Sequence, residues 1–169
     1  MDYTYSLFVP KQAVGANLVY FDLFNNSKLN LVIKRVNPVV SGAVAVVGVL
    51  GVDLLLTYTS AVGTGGTAAT YDGTDTTACT FTKNNPEGQT LTSLVSARLT
   101  PSGGATAAGV IGWTCVFTEE TSDATYRQYD LLGNDQTIIV PNGKGIRVVQ
   151  GAVASVGNIG FNVGFDLTI

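Results

Sequence analysis

The chain has 169 residues, a formal net charge of −3, and 12% charged side chains against 46% hydrophobic ones. This length fits one domain with its own core. The chain is acidic, and its nine Lys and Arg residues are scattered along it. It therefore lacks the positive field of a nucleic-acid-binding protein, and we expect no direct binding to nucleic acid. The low charge predicts a largely neutral surface, which suits burial in an assembly.

Residues 1–16 are predicted to form an extended arm in front of a single β domain at residues 17–169. The arm has no sustained period and no helix cap, and the chain does not open with the pattern of a secretory signal. Three aromatic side chains near its start, Tyr3, Tyr5 and Phe8, are costly to leave in solvent. We expect these three residues to dock on a neighbouring subunit, with a frayed terminus as the alternative.

Two strand-like runs come next, at residues 17–24 and 29–36. The residues between them are Asn25, Asn26, Ser27 and Lys28, a combination typical of turns. The pattern predicts that the two runs pair as the first hairpin of the domain.

The most hydrophobic segment, residues 39–56, is just long enough to be considered as a membrane span. It contains several glycines and Asp53, is rich in valine, and continues directly into another strand-like stretch. These features favour a long, bent strand with glycine bulges, and no membrane contact is expected.

Residues 59–75 are rich in glycine and threonine, which predicts a polar surface loop. The run Gly63 to Gly66 resembles a phosphate cradle only weakly, because no Lys-Ser/Thr pair or helix follows it. Asp72 and Asp75 could hold a hard cation, although a solvated turn is the favoured interpretation.

Short strand-like runs then alternate with turn signals, and no amphipathic helix is apparent. This rhythm is typical of an antiparallel sandwich or barrel of about eight to ten strands. The predicted strands in this part of the chain are residues 78–82, 91–99, 110–118, 126–132 and 137–140.

The last third of the chain predicts a closing hairpin and a terminal strand. Residues 138–140 and 146–149 are separated by Pro141-Asn142-Gly143-Lys144-Gly145, which is typical of a hairpin loop. A strict alternation follows at the end of the chain, and it predicts a central or well-covered strand. The residues expected on its buried face are Phe161, Val163, Phe165, Leu167 and Ile169.

Residues that could carry catalysis or bind a metal are few. The chain has no histidine, which removes the commonest general base and metal ligand. Cys79 and Cys115 have no zinc-site spacing, and buried free thiols are favoured over a disulfide. Glu119 and Glu120 are adjacent and would point to opposite faces of a strand, so a solvated strand end is expected. The sequence predicts a protein that is not an enzyme and needs no cofactor.

Three stretches resemble structural proteins of tailed bacteriophages. They are FDLFNNSKLNLVIKRVNPV, GVLGVDLLLTYTSAVGTGGTA and IIVPNGKGIRVVQGAVAS, and an alternating strand follows the last of them. The similarity covers residues 23–169 and lies in turns and strand edges.

The resemblance implies a jelly-roll capsid decoration (cement) protein. Such a protein is made in the host cytoplasm and binds the exterior of the virion head as an oligomer, expected to be a homotrimer, with the major capsid protein as its partner. Two alternatives stay open at this point. One is a receptor- or glycan-binding module of a fibre or tail, with Tyr71, Asp72 and Asp75 as its candidate site; the other is a protein associated with the head-tail connector.

Overall fold

The computed structural model describes residues 3–41, 46–71, 73–85, 87–103, 107–119, 129–133 and 136–169. These residues form eleven strands and no helix, and accordingly none of them belongs to a helix able to cross a membrane. The strands are β1 Tyr5–Ala13, β2 Val19–Asn25, β3 Asn30–Ser41, β4 Val49–Thr59, β5 Thr67–Ala68, β6 Thr80–Lys83, β7 Val95–Leu99, β8 Ala107–Glu119, β9 Ile138–Val140, β10 Gly145–Gln150 and β11 Asn158–Thr168.

The strands form two antiparallel sheets packed face to face. Sheet A has the order β6-β1-β11-β3-β9, and sheet B has the order β5-β7-β2-β10-β4-β8. Buried side chains from both sheets meet in one core. The predicted all-β antiparallel sandwich is therefore confirmed.

Strand pairing is nested along the chain. β1 pairs with β11, β2 with β10, β3 with β9, and β4 with β8, and successive pairs alternate between sheet A and sheet B. The chain thus crosses from one sheet to the other at nearly every turn.

The terminal strand β11 is central in sheet A, between β1 and β3, as the alternation predicts. Phe161, Val163 and Phe165 are buried, and aromatic contacts support them: the rings of Phe165 and Tyr5 stack at 5.5 Å. Burial fades toward the end of the chain, and Ile169 is fully exposed. The prediction of a buried Ile169 is wrong, because sheet A ends at Thr168.

Neither predicted hairpin forms. β2 lies in sheet B and β3 in sheet A, while β9 lies in sheet A and β10 in sheet B. The turns at residues 25–29 and 141–144 are corners that carry the chain between the sheets. Turn chemistry specifies a change of direction, but not whether the chain stays in one sheet, so the sequence pattern was misleading here.

The two corners lie side by side, and we call this part of the molecule the corner end. The Asn25 amide donates to Lys144 O (2.9 Å), and the Gly143 amide donates to Asn25 O (2.9 Å). Asn25 Nδ2 also donates to Val140 O (2.9 Å) and to Leu29 O (2.8 Å). One buried asparagine therefore connects both crossings.

The predicted N-terminal arm is mostly a strand of the domain. Its extended conformation is present, but Tyr5–Ala13 pairs with β11 on one side, and its first half pairs with β6 on the other. The boundary predicted between residues 1–16 and 17–169 is wrong for this strand, because alternate residues such as Leu7 and Val9 fill the core.

The hydrophobic segment 39–56 is not one bent strand. Residues 39–41 end β3 in sheet A, and β4 begins at Val49 in sheet B. Residues 42–45 lie outside the described part of the chain. The apolar run extends from the end of β3 to the start of β4. An apolar run does not show where one strand ends and the next begins, so the prediction of continuity failed.

Three further predictions met different outcomes. Residues 126–128 of the predicted strand 126–132 are outside the described residues, and residues 129–132 lie in no strand. In the predicted loop 59–75, Thr59 ends β4 and Thr67–Ala68 form β5, while the other described residues lie in no strand. The strand predicted at 110–118 corresponds to β8.

Candidate functional site

The three aromatic residues expected to dock on a neighbour do not form one surface. Tyr5 is 4% exposed and packs in its own core, so its docking role is wrong. Phe8 is 38% exposed and points away from the core. The Tyr3 ring covers Gly164, where a Cβ atom would lie 2.7 Å from it. Phe8 and Tyr3 remain available on the outer face of sheet A.

The glycan or cation site suggested around Tyr71 and Asp75 has its polar groups engaged within the fold. The Tyr71 hydroxyl donates to Val95 O (2.7 Å), and its ring stacks on Phe81. Asp75 Oδ1 accepts from the Thr77 amide and hydroxyl, and these bonds hold the Asp75 pKa below its ordinary value. Asp72 lies outside the described residues. This geometry agrees with the favoured interpretation of a turn.

The glycine run at residues 63–66 is held by a buried carboxylate and does not form a phosphate cradle. Asp22 Oδ2 accepts from the Gly63 amide (2.6 Å), and Oδ1 accepts from the Arg98 amide (2.8 Å). Burial raises the pKa of Asp22, while these two hydrogen bonds oppose that rise. Because the Gly63 amide already has a carboxylate partner, this arrangement anchors the loop to β2.

The two cysteines are free and differ in their surroundings. Cys79 is buried, as expected, and burial raises its pKa to about 12, with a smaller contribution from Asp22. Cys115 is exposed on the outer face of β8, so the expectation of a buried thiol is wrong for it. Partial desolvation and then Asp53, its cross-strand neighbour, raise the Cys115 pKa, which disfavours a reactive thiolate.

Glu119 is buried at the end of β8, so the prediction of a solvated strand end is wrong for this residue. Glu120 is outside the described residues. Among the described residues, no three His, Cys, Asp or Glu side chains form a group that could hold a metal ion.

Exposed apolar side chains gather at the end of the sandwich opposite the corners, and we call this group the apolar end. Val47 and Val153 are the most exposed, at 83% and 73%. Exposed apolar side chains grouped at one end of a folded protein are candidates for an interaction site. The five members of the apolar end are Val47, Val49, Phe117, Val153 and Val156.

Strand direction brings these residues to the same end. β4 begins there and β8 finishes there, since Val49 is opposite Glu119 and Gly51 is opposite Phe117. The connection from β10 to β11 closes the same end and carries both Val153 and Val156.

Two buried polar side chains form a frame beneath the apolar end. The Thr118 hydroxyl donates to Val156 O (2.6 Å). Gln150 Nε2 donates to Val153 O (3.1 Å), while its Oε1 accepts from the Tyr20 hydroxyl (2.7 Å) and the Gly15 amide (2.8 Å). Burial raises the Tyr20 pKa well above its ordinary value, so this hydroxyl stays protonated at neutral pH and donates its hydrogen bond. The connection that carries Val153 and Val156 is thus fixed to the sheets by satisfied buried groups.

Sequence reasoning missed the apolar end. Its members come from three separate segments, and each looks like an ordinary core position within an apolar run. One local signal was present in the sequence: Val47 and Val156 each precede a glycine, a residue that often marks a turn. In the structure both glycines, Gly48 and Gly157, have positive φ.

Comparison with known proteins gives no relative for this chain. No family model matches it, and neither a curated protein nor a solved structure matches it.

Proposed function

We propose that this protein is a virion structural protein, a capsid decoration protein that binds the exterior of a tailed-phage head through the apolar end. The observation that carries the proposal is the exposed valine and phenylalanine surface held on a hydrogen-bonded frame. Burying a large aliphatic side chain contributes about 1.5 to 3 kcal/mol, so a partner that covers several of them gains affinity without any charged contact.

The nested strand pairing supports the jelly-roll part of the proposal. Four nested strand pairs alternate between the two sheets. A jelly roll has this pattern, because its two halves of the chain pair along their length and wrap together around the core, as in viral capsid proteins. The resemblance to phage structural proteins noted from the sequence adds to this support.

The proposed contact surface differs from the one first expected from the sequence. Tyr5 belongs to the core, so the N-terminal aromatics do not act together as a docking arm. Tyr3 and Phe8 lie on the outer face of sheet A, where they can make secondary contacts. Weak contacts of each subunit suffice in a trimer, because linked sites bind with a high effective concentration.

The test is co-sedimentation of the purified protein with capsids that lack it, followed by counting bound copies per shell. We expect saturation in proportion to the capsid subunits. The double variant Val47→Ser/Val153→Ser should reduce the bound copies strongly, because it replaces the two most exposed members of the apolar end.

The matched control is Ile139→Ser, which changes an exposed aliphatic residue on β9, away from the apolar end. It should bind as the unmodified protein does. Saturation at the copy number of a single vertex would favour a connector-associated protein, and absence of binding would overturn the decoration role.

A further inference from the structure

The outer face of sheet B is apolar along β8. Val116 is buried in the core, so the residues on either side of it along the strand point outward. An antiparallel strand with one face in water alternates apolar and polar residues, whereas a strand covered on both faces has apolar residues throughout. The outward side chains of β8 follow the second pattern. They are Trp113, Cys115 and Phe117.

The outer face of sheet A has the opposite character. On its central strand β11, Asn162 and Asp166 alternate with buried apolar residues and point outward. Asp166 forms an ion pair with Lys34 on the neighbouring strand β3. Sheet A therefore has the outer face of a solvated sheet, and sheet B has that of a covered one.

Strand register continues the apolar surface of sheet B from β8 to β10. Trp113 is opposite Leu55, and Leu55 is opposite Val149. A Cβ atom built on Gly151 would lie 4.0 Å from Trp113 Cζ3, so the indole extends across β4 toward the end of β10. Trp113 is nevertheless 61% exposed. We call the following residues the Trp113 face: Leu55, Trp113, Cys115, Phe117 and Val149.

Two opposite charges flank the centre of the Trp113 face. Asp53 is exposed and lies two residues before Leu55 on β4. Arg147 lies two residues before Val149 on β10, and it is opposite Thr57, so it is on the other side of the centre. Its Nε donates to Thr57 Oγ1 (3.3 Å), which keeps the side chain on this face. The two charged positions are about 14 Å apart along the sheet.

This arrangement makes the Trp113 face complementary to itself. In a pair of subunits related by a two-fold axis, the same surface on both subunits forms the contact, so it must match its own copy. An axis in the interface, midway between Asp53 and Arg147, brings Asp53 of each copy to Arg147 of the other. Sheets that pack face to face are about 10 Å apart, a distance that an aspartate and an arginine side chain span together.

We propose that two copies of this protein pair through their Trp113 faces, with sheet B packed on sheet B. The apolar side chains cover one another, with Trp113 as the main contact, since tryptophan is enriched among residues that dominate interfaces. The two ion pairs set the register. The proposal does not depend on the decoration role, which uses the apolar end. A two-fold pair also differs from the homotrimer that the resemblance implies.

Sedimentation equilibrium of the full-length protein tests the pairing. We expect the mass to rise from one chain to two chains between about 1 and 100 μM. Trp113 is the one tryptophan of the chain, so acrylamide quenching of its fluorescence follows the same event. Its accessibility to acrylamide should fall as the pair forms.

Charge reversal tests the register of the pair. Asp53→Arg or Arg147→Asp alone brings like charges together twice, and each should raise the Kd of the pair about tenfold or more. The double variant Asp53→Arg/Arg147→Asp restores opposite charges, and it should recover most of the affinity. Circular dichroism of each variant checks that it is folded.

A second pair of variants locates the contact. Trp113→Ser should leave a single-chain mass throughout the concentration range. The matched control is Phe8→Ser, which removes an exposed aromatic side chain from the outer face of sheet A. It should pair as the unmodified protein does.

Four results would overturn the proposal. The first is a single-chain mass up to about 100 μM. The second is a three-chain mass, which a two-fold pair excludes. The third is pairing that Trp113→Ser and both charge reversals leave intact, since the contact would then lie elsewhere. The fourth is protection of Trp113 only when capsids are added, which would assign this face to the capsid.

Discussion

The two ends of the sandwich differ in the side chains that they use where the chain passes from one sheet to the other. The corner end uses polar side chains whose hydrogen bonds are satisfied within the chain, above all those of Asn25. The apolar end has a comparable buried frame in Thr118 and Gln150, but the loops above that frame expose valines.

Because of this difference, we expect the residues that stabilise the fold to be distinct from the residues that bind a partner. At the corner end, polar side chains such as Asn25 are buried, and their loss should lower the free energy of unfolding. At the apolar end, the frame should determine stability, while the exposed side chains contribute little to folding and are available to a partner.

Asn25→Leu should have the largest effect on the free energy of unfolding, a loss of about 3 to 4 kcal/mol. It leaves Val140 O, Leu29 O and the Ser27 amide without their buried partner. Urea denaturation measures the loss, with Asn26→Ala as control, since Asn26 is exposed. Equal stabilities of the two variants would remove the proposed role of the corner end.

Gly157→Ala should cost about 2 to 3 kcal/mol. Gly157 has a φ of +129°, and a Cβ atom there would lie 2.5 Å from Thr118 Cγ2. The alanine would therefore strain the backbone and displace Thr118. Gly143→Ala is the matched control at the corner end. Its φ is +72° and the added Cβ atom meets open space, so a loss of about 1 kcal/mol is expected. Denaturation curves in which both variants lose the same free energy would show that the frame tolerates the added methyl group.

Asp166→Asn should reduce stability by about 0.5 to 1 kcal/mol at neutral pH, since its ion pair is partly exposed. Asp166 lies near the corner end, 2.7 Å from Lys34 Nζ, and accepts from the Thr4 amide (2.6 Å). Partial burial raises the Asp166 pKa, but the bonds from Lys34 and Thr4 outweigh this and hold it below its ordinary value.

The sign of the pH dependence follows from that lowered pKa. The stabilisation by ionised Asp166 is fully present above about pH 4, the ordinary aspartate pKa, and is lost as the pH falls through the lower folded-state pKa. Denaturation of the unmodified protein and of Asp166→Asn at a series of pH values should show that the difference between their free energies of unfolding becomes smaller in acid. A difference that stays constant with pH would contradict the ion pair as its source.

Val47→Ser/Val153→Ser should have the smallest effect on folding, within about 0.5 kcal/mol for each site. Val148→Ser, the same change in the core, should cost about 3 kcal/mol because it creates a cavity and buries a hydroxyl group. Thermal denaturation compares the three proteins. If the surface variant loses as much as the core variant, the exposed valines stabilise the fold, and the contrast between the ends fails.

Much of the fold was predictable because strand patterns are local. The alternation from Phe161 to Phe165 predicted a buried terminal strand, and it is the centre of sheet A. The turn residues after Asn25 and Pro141 predicted changes of direction that do occur. Partners were not predictable, because β2 and β3 are adjacent in sequence but pair in different sheets.

The candidate sites were predictable only in part. Aromatic residues near the N-terminus suggested a docking surface, but their outcome depends on strand register: Tyr5 faces the core while Phe8 faces outward. The apolar end combines residues from three separate segments, so no local motif marks it.

The amino-acid sequence by itself determined an antiparallel β protein of low charge, because periodicity and composition act over a few residues at a time. The tertiary structure alone decided which turns cross between the sheets, which aromatic side chains are buried, and which valines remain exposed. These outcomes depend on contacts between residues far apart in the chain, as in β1 with β11, where Tyr5 lies opposite Phe165.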